Sequence, residues 1–231
     1  MEATLRILPQ KKVLVYTRNF TNRLIHWTTF FSVITLMVTG YYIGNPTLVF
    51  GQGEPYNTFT MASIRYYHFI AAMVLDVALM VWVYLAFMSR HHRYWKEMIP
   101  TPTVLRDAAQ VAKSYFTHVK PPFYRHFDPL DGLLFLLLVI MMAIQMITGF
   151  QIYVVGLPVD YWWSKLIHLT TDWVEIIFGS HQGVRTAHHL VQWVMLAGII
   201  IHVHLQIIKT VIWKDGHIGQ MVGGYKYRDM E

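Results

Sequence analysis

Four apolar runs punctuate the chain, and each is long enough to cross a bilayer. The first lies within Leu24 to Gly53 and has its core at 24–44. Tyr66 to Met88 is the second, broken only by Asp76. Gly132 to Leu157 is the third and Thr186 to Ile208 the fourth. A spanning helix needs roughly 20 predominantly apolar residues. The pattern predicts an all-α, integral membrane four-helix bundle, with spans at about 24–44, 66–88, 132–157 and 186–208 of a single 1–231 domain.

Shorter signals lie between the runs. "NPTLVFGQGEPYNT" is rich in Gly, Pro and Asn and reads as a loop. "TVLRDAAQVAKSYFTH" predicts a short surface helix, and the prolines of "KPPFYRHFDP" end it before the third span. Within 158–185, Trp162, Leu166, Leu169, Trp173, Ile176 and Ile177 fall at helical spacing. Trp-rich amphipathic helices lie along the membrane interface.

Composition agrees with a bilayer environment. The 231 residues are 55% hydrophobic and 14% charged, against about 25% charged in soluble domains. The net charge of +6 is distributed by side. Five Lys/Arg precede the first span, seven lie between the second and third, and four occur from Lys209 onward. Only Arg65, Lys165 and Arg185 occupy the other two connections. Cytoplasmic loops carry the Lys/Arg excess. Both termini and the 89–131 loop are therefore expected inside, the 45–65 and 156–187 loops outside, in a multi-pass inner-membrane protein. The charge is a topology signal rather than a nucleic-acid footprint. The basic start, with no small-residue cleavage site after the first span, does not read as a removable signal peptide. The absence of cysteine excludes disulfides, thiolate iron–sulfur ligation and covalent haem attachment within this chain.

The candidate chemistry is histidine. "VRTAHHLVQWVMLAGIIIHVHLQI" (184–207) carries His188, His189, His202 and His204 in an apolar helix. Such residues are costly in lipid unless something binds them. His188 and His202 are 14 apart, which is about −40° after whole turns and about 21 Å along the axis. They share a face but are too far apart for one metal centre. His189 and His204 form a rival pair, offset by about +60°. The smaller offset favours His188 and His202. On the expected topology His26 matches His202 in depth, and His68 matches His188. Two bis-histidine sites result. Two histidines without a carboxylate, in an apolar four-helix setting, suit haem b, whereas zinc wants three or four close ligands. His91, His92, His118, His126, His168, His181 and His217 fall in loops. "MVTGYYIG" (37–44) and "MITGFQIY" (146–153) echo one another, each placing Gly before an aromatic. Glycine in a spanning helix admits a neighbouring helix or a flat cofactor. Asp76 lies mid-span, about 12 Å along the helix from His68, where it is neutral, paired or beside water.

These residues resemble the cytochrome b subunit of membrane-bound nickel–iron hydrogenases. The likeness covers most of the chain. It is carried by "RLIHW", "VTGYYIG", the histidine of "RYYHF", "ITGF", the His188-to-His202 spacing with Trp193 between, and "MVGGYKY". The lead into the first histidine, "NFTNRLIHW", departs from the Pro-Val-Arg-like sequence common in the family. The four-histidine pattern is shared with formate dehydrogenase gamma subunits and bacterial cytochrome b-561, and "MVGGYKY" favours the hydrogenase branch. The resemblance implies four helices holding haem b on His26, His68, His188 and His202 as axial iron ligands. It implies electron transfer from a periplasmic hydrogenase small subunit, with its large subunit, to membrane quinone. The chain itself would carry no independent hydrogenase chemistry. A quinone site near the inner haem would draw on Asn22, Arg23, His204, Gln206 and Tyr225. The alternatives are a formate dehydrogenase gamma subunit, or, from another class, a proton or metal-ion transporter using the intramembrane histidines and Asp76.

Overall fold

The structure is a computed structural model that describes residues 12–46, 59–89, 93–117 and 119–230. The "NPTLVFGQGEPYNT" loop beyond its first two residues, together with His91, His92 and His118, lies outside the described residues.

Four long helices dominate: α1 (Phe20–Gly44), α2 (Thr60–Met88), α4 (Pro129–Val154) and α7 (His181–Val211). Each is long and apolar enough to cross a membrane. At 1.5 Å per residue even the shortest, with 25 residues, exceeds the roughly 30 Å hydrocarbon core. Shorter elements are β1 (Lys12–Tyr16), α3 (Pro102–Thr117), α5 (Trp162–Thr171), α6 (Trp173–Phe178), α8 (His217–Gly223) and β2 (Tyr225–Asp229), with a 3₁₀ turn at Arg93–Met98.

Three of the four long helices, and α3, begin at capping side chains rather than where the apolar runs begin. Asn19 Oδ1 accepts the Asn22 amide at 2.9 Å ahead of α1. Asp128 Oδ1 accepts the Asp131 amide at 2.9 Å, with Pro129 as the first residue of α4. Ser180 Oγ accepts the Gly183 amide at 3.0 Å ahead of α7. Thr101 caps α3 in the same way, accepting Val104 N–H at 3.2 Å. Each cap satisfies an amide that lacks an intrahelical partner, and Pro at the first helical position costs no hydrogen bond. α3 covers the expected surface helix, and 119–128 is irregular as the prolines dictate.

Two compact units make up the chain. One comprises the described parts of 1–28, 79–137 and 198–231. Here β1 and β2 form an antiparallel pair in which Lys12 faces Asp229 and Tyr16 faces Tyr225. The periodicity of the apolar runs did not announce this sheet. A two-stranded ribbon is marginal alone, and the chain around it supplies the support. The amides of Thr17 and Arg18 both donate to Gly224 O, at 2.9 and 3.1 Å. Gly224 has φ +87°, and a Cβ there would lie 2.6 Å from Arg18 O. The second glycine of "MVGGYKY" is therefore required by a left-handed backbone and a close chain approach. Trp27 Nε1 donates to Met221 O at 2.9 Å, and Arg23 donates to Val222 O. These bonds tie the α8 turn to the start of α1.

The other unit comprises 29–78 and 138–197. Ala71, Leu75 and Ala78 are its buried stripe on α2, and the two alanines are small enough for close helix approach. Phe69 packs on Tyr153 with ring centroids 4.9 Å apart. The expected Trp-rich helix is present in two pieces. α5 stops at Asp172, whose carboxylate meets His168 Nδ1 at 2.9 Å, and Trp173 opens α6. Thr171 anchors α5 by donating to buried Gln151 Oε1 at 2.6 Å. The six apolar residues expected on one face, from Trp162 to Ile177, are all exposed. In a membrane protein, that face has lipid or a partner for a neighbour.

Candidate haem-binding site

In the 29–78 and 138–197 unit, His68 of α2 and His188 of α7 have matching surroundings. Thr39 Oγ1 of α1 lies 2.8 Å from His68 Nδ1. Thr148 Oγ1 of α4 lies 2.8 Å from His188 Nδ1. Both threonines also bond back to the carbonyl one turn earlier: Thr39 to Thr35 O at 2.6 Å and Thr148 to Ile144 O at 2.7 Å. A hydroxyl has a single proton. Once that proton is given to the carbonyl, the oxygen can only accept from the ring. With the proton on the carbonyl, each ring carries its own proton on Nδ1 and leaves Nε2 with a free lone pair.

The residue after each threonine is glycine. A Cβ on Gly40 would stand 3.3 Å from His68 Cε1 and 3.1 Å from Gln192 Oε1, and one on Gly149 would stand 3.4 Å from His188 Cε1. The echo between "VTG" and "ITG" is thus a duplicated device of two parts: the glycine leaves the ring edge open, and the threonine holds its nitrogen. Gln145 Nε2 further fixes α7 by donating to His188 O at 2.8 Å. His68 lies close enough to His188 and His189 for their charges to interact. His189 faces Gly44 instead, where a Cβ would fall 2.7 Å from its Cε1.

The other unit holds His26 and His202, which are likewise close enough to interact electrostatically. Both are partly buried, whereas His204 is exposed. His26 Nδ1 is buried without a hydrogen-bond partner among the described residues. Close by in sequence are charges. Lys209 is 1% exposed and donates to both Asp128 and Asp131. Gln206 Nε2 donates to Asp131 Oδ1 at 3.1 Å. A small cavity of about 30 Å³ is lined by Lys209, Asp128, Asp215, His217, Lys226 and residues of the 120–124 segment, room for about one water. His217 Nδ1 meets Asp215 Oδ1 at 2.8 Å, while burial holds His217 below the usual histidine range. Lys226 donates to Tyr124 O, and burial pulls its ammonium down to about 8.

The remaining quinone-site candidates divide sharply. Asn22 Nδ2 is buried and unpartnered. Arg23 gives a terminal nitrogen to Val222 O while its Nε is buried without a partner, and Gln206 is committed to Asp131. Tyr225 is 42% exposed, with its ring 5.1 Å from Tyr16. Asp76 is partly buried on α2. Reading the sequence missed Thr39, Thr148 and the Lys209 cluster. The repeated Thr-Gly dipeptide was the available signal for the first two.

The donor chemistry fits haem. Among the described residues no three His, Cys, Asp or Glu side chains gather into a metal-holding group. Nδ1-bonded imidazoles with open Nε2 are the form that ligates iron.

Comparison with known proteins agrees. The sequence profile of prokaryotic cytochrome b561 matches residues 18–224. A probable Ni/Fe-hydrogenase B-type cytochrome subunit of Azotobacter vinelandii is 34% identical over 224 residues, covering 94% of this chain and 90% of that protein. The protein of the same description from Bradyrhizobium diazoefficiens is 31% identical, covering 93% and 87%. The probable Ni/Fe-hydrogenase 1 B-type cytochrome subunit of Escherichia coli K12 is 28% identical, covering 88% and 87%. The chain is thus a member of the prokaryotic cytochrome b561 family, a multi-pass membrane protein of the kind that binds haem b.

Proposed function

We propose that this protein is the membrane electron-transfer subunit of a nickel–iron hydrogenase. It would receive electrons from the hydrogenase small subunit on the periplasmic face and pass them to membrane quinone. The hydrogenase assignment rests on relatives described as hydrogenase cytochrome subunits across nearly the whole chain. The observation that carries the haem sites is the pair of histidines, His68 and His188, each held by a threonine at Nδ1 with Nε2 open. His68 and His188 would hold one haem b, His26 and His202 a second. Each bound haem supplies a one-electron iron couple.

What the chain contributes is position and insulation. The helices hold four imidazoles in an apolar setting that excludes water from the iron ligands. The basic termini and 89–131 loop favour a cytoplasmic location for the end of the protein that holds His26 and His202. There Asn22 is the strongest quinone contact among the candidates. It lies one turn before His26 on α1, on the same face, and its amide Nδ2 has no partner to lose. The exposed α5–α6 face and the 45–65 loop would meet the hydrogenase, and both should resist periplasmic protease only in the complex.

Purification from native membranes tests this directly. The expected result is a complex containing nickel and two low-spin haems b per copy of this chain, with hydrogen-dependent quinone reduction. Co-purification of a molybdenum or tungsten subunit instead would move the assignment to formate dehydrogenase. A colourless protein would refute the haem reading and favour the transporter alternative.

A further inference from the structure

Thr39 and Thr148 touch no reacting group themselves, and they do the same thing on different helices. Each is nearly fully buried, at 6% and 2% exposure. Each spends its hydroxyl proton on its own helix and turns the oxygen toward a histidine of another helix. A threonine bonding to its i−4 carbonyl is common in apolar helices. A threonine that does so and also receives an imidazole N–H is selected for that second bond, because burial leaves the ring nitrogen no water to turn to.

We propose that Thr39 and Thr148 are the positioning residues of the His68/His188 haem site, each fixing the tautomer and rotation of its histidine and setting the donor strength of the opposite nitrogen. The proposal rests on His68 and His188 being iron ligands. An imidazole whose Nδ1–H is given to an acceptor carries more negative charge on Nε2 and is the stronger donor. Two such ligands on one iron stabilise the ferric state. The duplicated threonines therefore hold the midpoint potential of this haem low and keep both rings facing the iron before it arrives. Among the described residues His26 has no such brace, its Nδ1 being buried without a partner. The two haems should consequently differ in potential because of ligand hydrogen bonding.

Thr→Val tests this, since it keeps the shape and removes the oxygen, and Thr→Ser restores the oxygen. The measurements are a redox titration of haem absorbance and the low-temperature EPR g values of the oxidised haems, made on the purified complex. Thr148→Val and Thr39→Val are each expected to raise the midpoint of one haem and leave the other unmoved. Haem affinity at that site should fall by about 10- to 100-fold, the usual cost of losing a ligand's outer hydrogen bond. Thr148→Ser should return both values toward wild type. If the complex of one variant fails to assemble, 15N spectra of histidine-labelled apo chain carry the test. Wild type should show His68 and His188 as Nδ1–H tautomers, and Thr148→Val should release His188 from that form. Unchanged midpoints and tautomers in both Val variants, with haem still lost in His188→Ala, would overturn the proposal while leaving the ligand assignment standing. Two haems retained in His188→Ala would overturn the ligand assignment and the proposal with it.

Discussion

The two units differ in the polar groups that surround their histidines. Around His68 and His188 the polar partners are neutral: two threonine hydroxyls, Gln145 and Gln192. The unit that holds His26 and His202 adds buried charges to neutral bonds such as that of Thr17 to Gln220. Lys209 is buried against two aspartates, Lys226 against a carbonyl and Arg18 over the Phe127 ring at 4.5 Å. Neutral braces fix a ring without adding a field, which suits a site that only passes electrons. Buried charges fix backbone segments firmly but make every neighbour electrostatically sensitive, which suits a place where protons must also be handled, as at a quinone. The contrast teaches that one helical scaffold can place two pairs of histidines in different electrostatic surroundings.

The largest effects should come from removing a ligand on either side of this contrast. His202→Ala is expected to delete one haem, abolish most quinone reduction and spare hydrogen-driven reduction of an artificial dye at the hydrogenase. His204 cannot substitute, being about 200° further round the helix and exposed. His188→Ala should delete the other haem and prevent hydrogen from reducing the one that remains. Haem counts and the two activities measured on both purified variants decide it. Two intact haems in His202→Ala would restore His189 and His204 as the ligand pair.

Next in size is Lys209→Met, which tests whether the charged clamp is as strict as its burial implies. Removing the ammonium leaves Asp128 and Asp131 buried and facing each other. Breaking one partner of a buried ion cluster costs about 3–5 kcal/mol. Thermal unfolding of the purified protein should show the loss, and adding Asp128→Asn and Asp131→Asn to the same chain should recover most of it. A neutral effect of Lys209→Met alone would show that the cluster is hydrated and the contrast between units weaker than drawn.

Gly224→Ala probes the same unit at its backbone. The left-handed φ and the 2.6 Å approach to Arg18 O together predict a loss of about 1–3 kcal/mol. Gly149→Ala, whose new Cβ would find ordinary contact at 3.4 Å, is the matched control from the neutral unit and should cost less. The pair is read by thermal unfolding and by haem retention.

How much of this was legible beforehand follows from what sequence patterns encode. Apolar runs marked the four long helices because lipid burial is a bulk property of a segment. The helices extend beyond those runs, to Phe20 and Pro129, because helices begin where a capping oxygen meets an amide, at Asn19 and Asp128. Histidine spacing singled out His188 and His202, since one helix fixes their angular relation. It could not show Thr39 or Thr148, because a hydrogen bond between helices depends on packing that no single-helix periodicity contains. The β1–β2 pair stayed hidden for a related reason. Five-residue strands separated by some 200 residues have no local signature beyond weak alternation.

The smallest expected effect concerns pH. Burial lowers the Lys226 ammonium from 10.5 to about 8, so in the folded protein it releases its proton earlier than in the unfolded chain. Below about 8 both states hold the proton, and the folded state bears the full cost of a buried charge. Between about 8 and 10.5 the unfolded chain binds more protons, and stability therefore rises with pH. The contribution of this group grows across that window and is constant outside it. Lys226→Met should remove the trend, giving a flatter dependence of Tm on pH between 8 and 10 than wild type. Thr148→Val, in the unit whose histidine braces are neutral, should leave that slope as it is. Equal slopes in wild type and Lys226→Met would show that Lys226 reaches solvent through the adjoining cavity. The charges of this unit would then be less insulated than its hydrogen bonds imply.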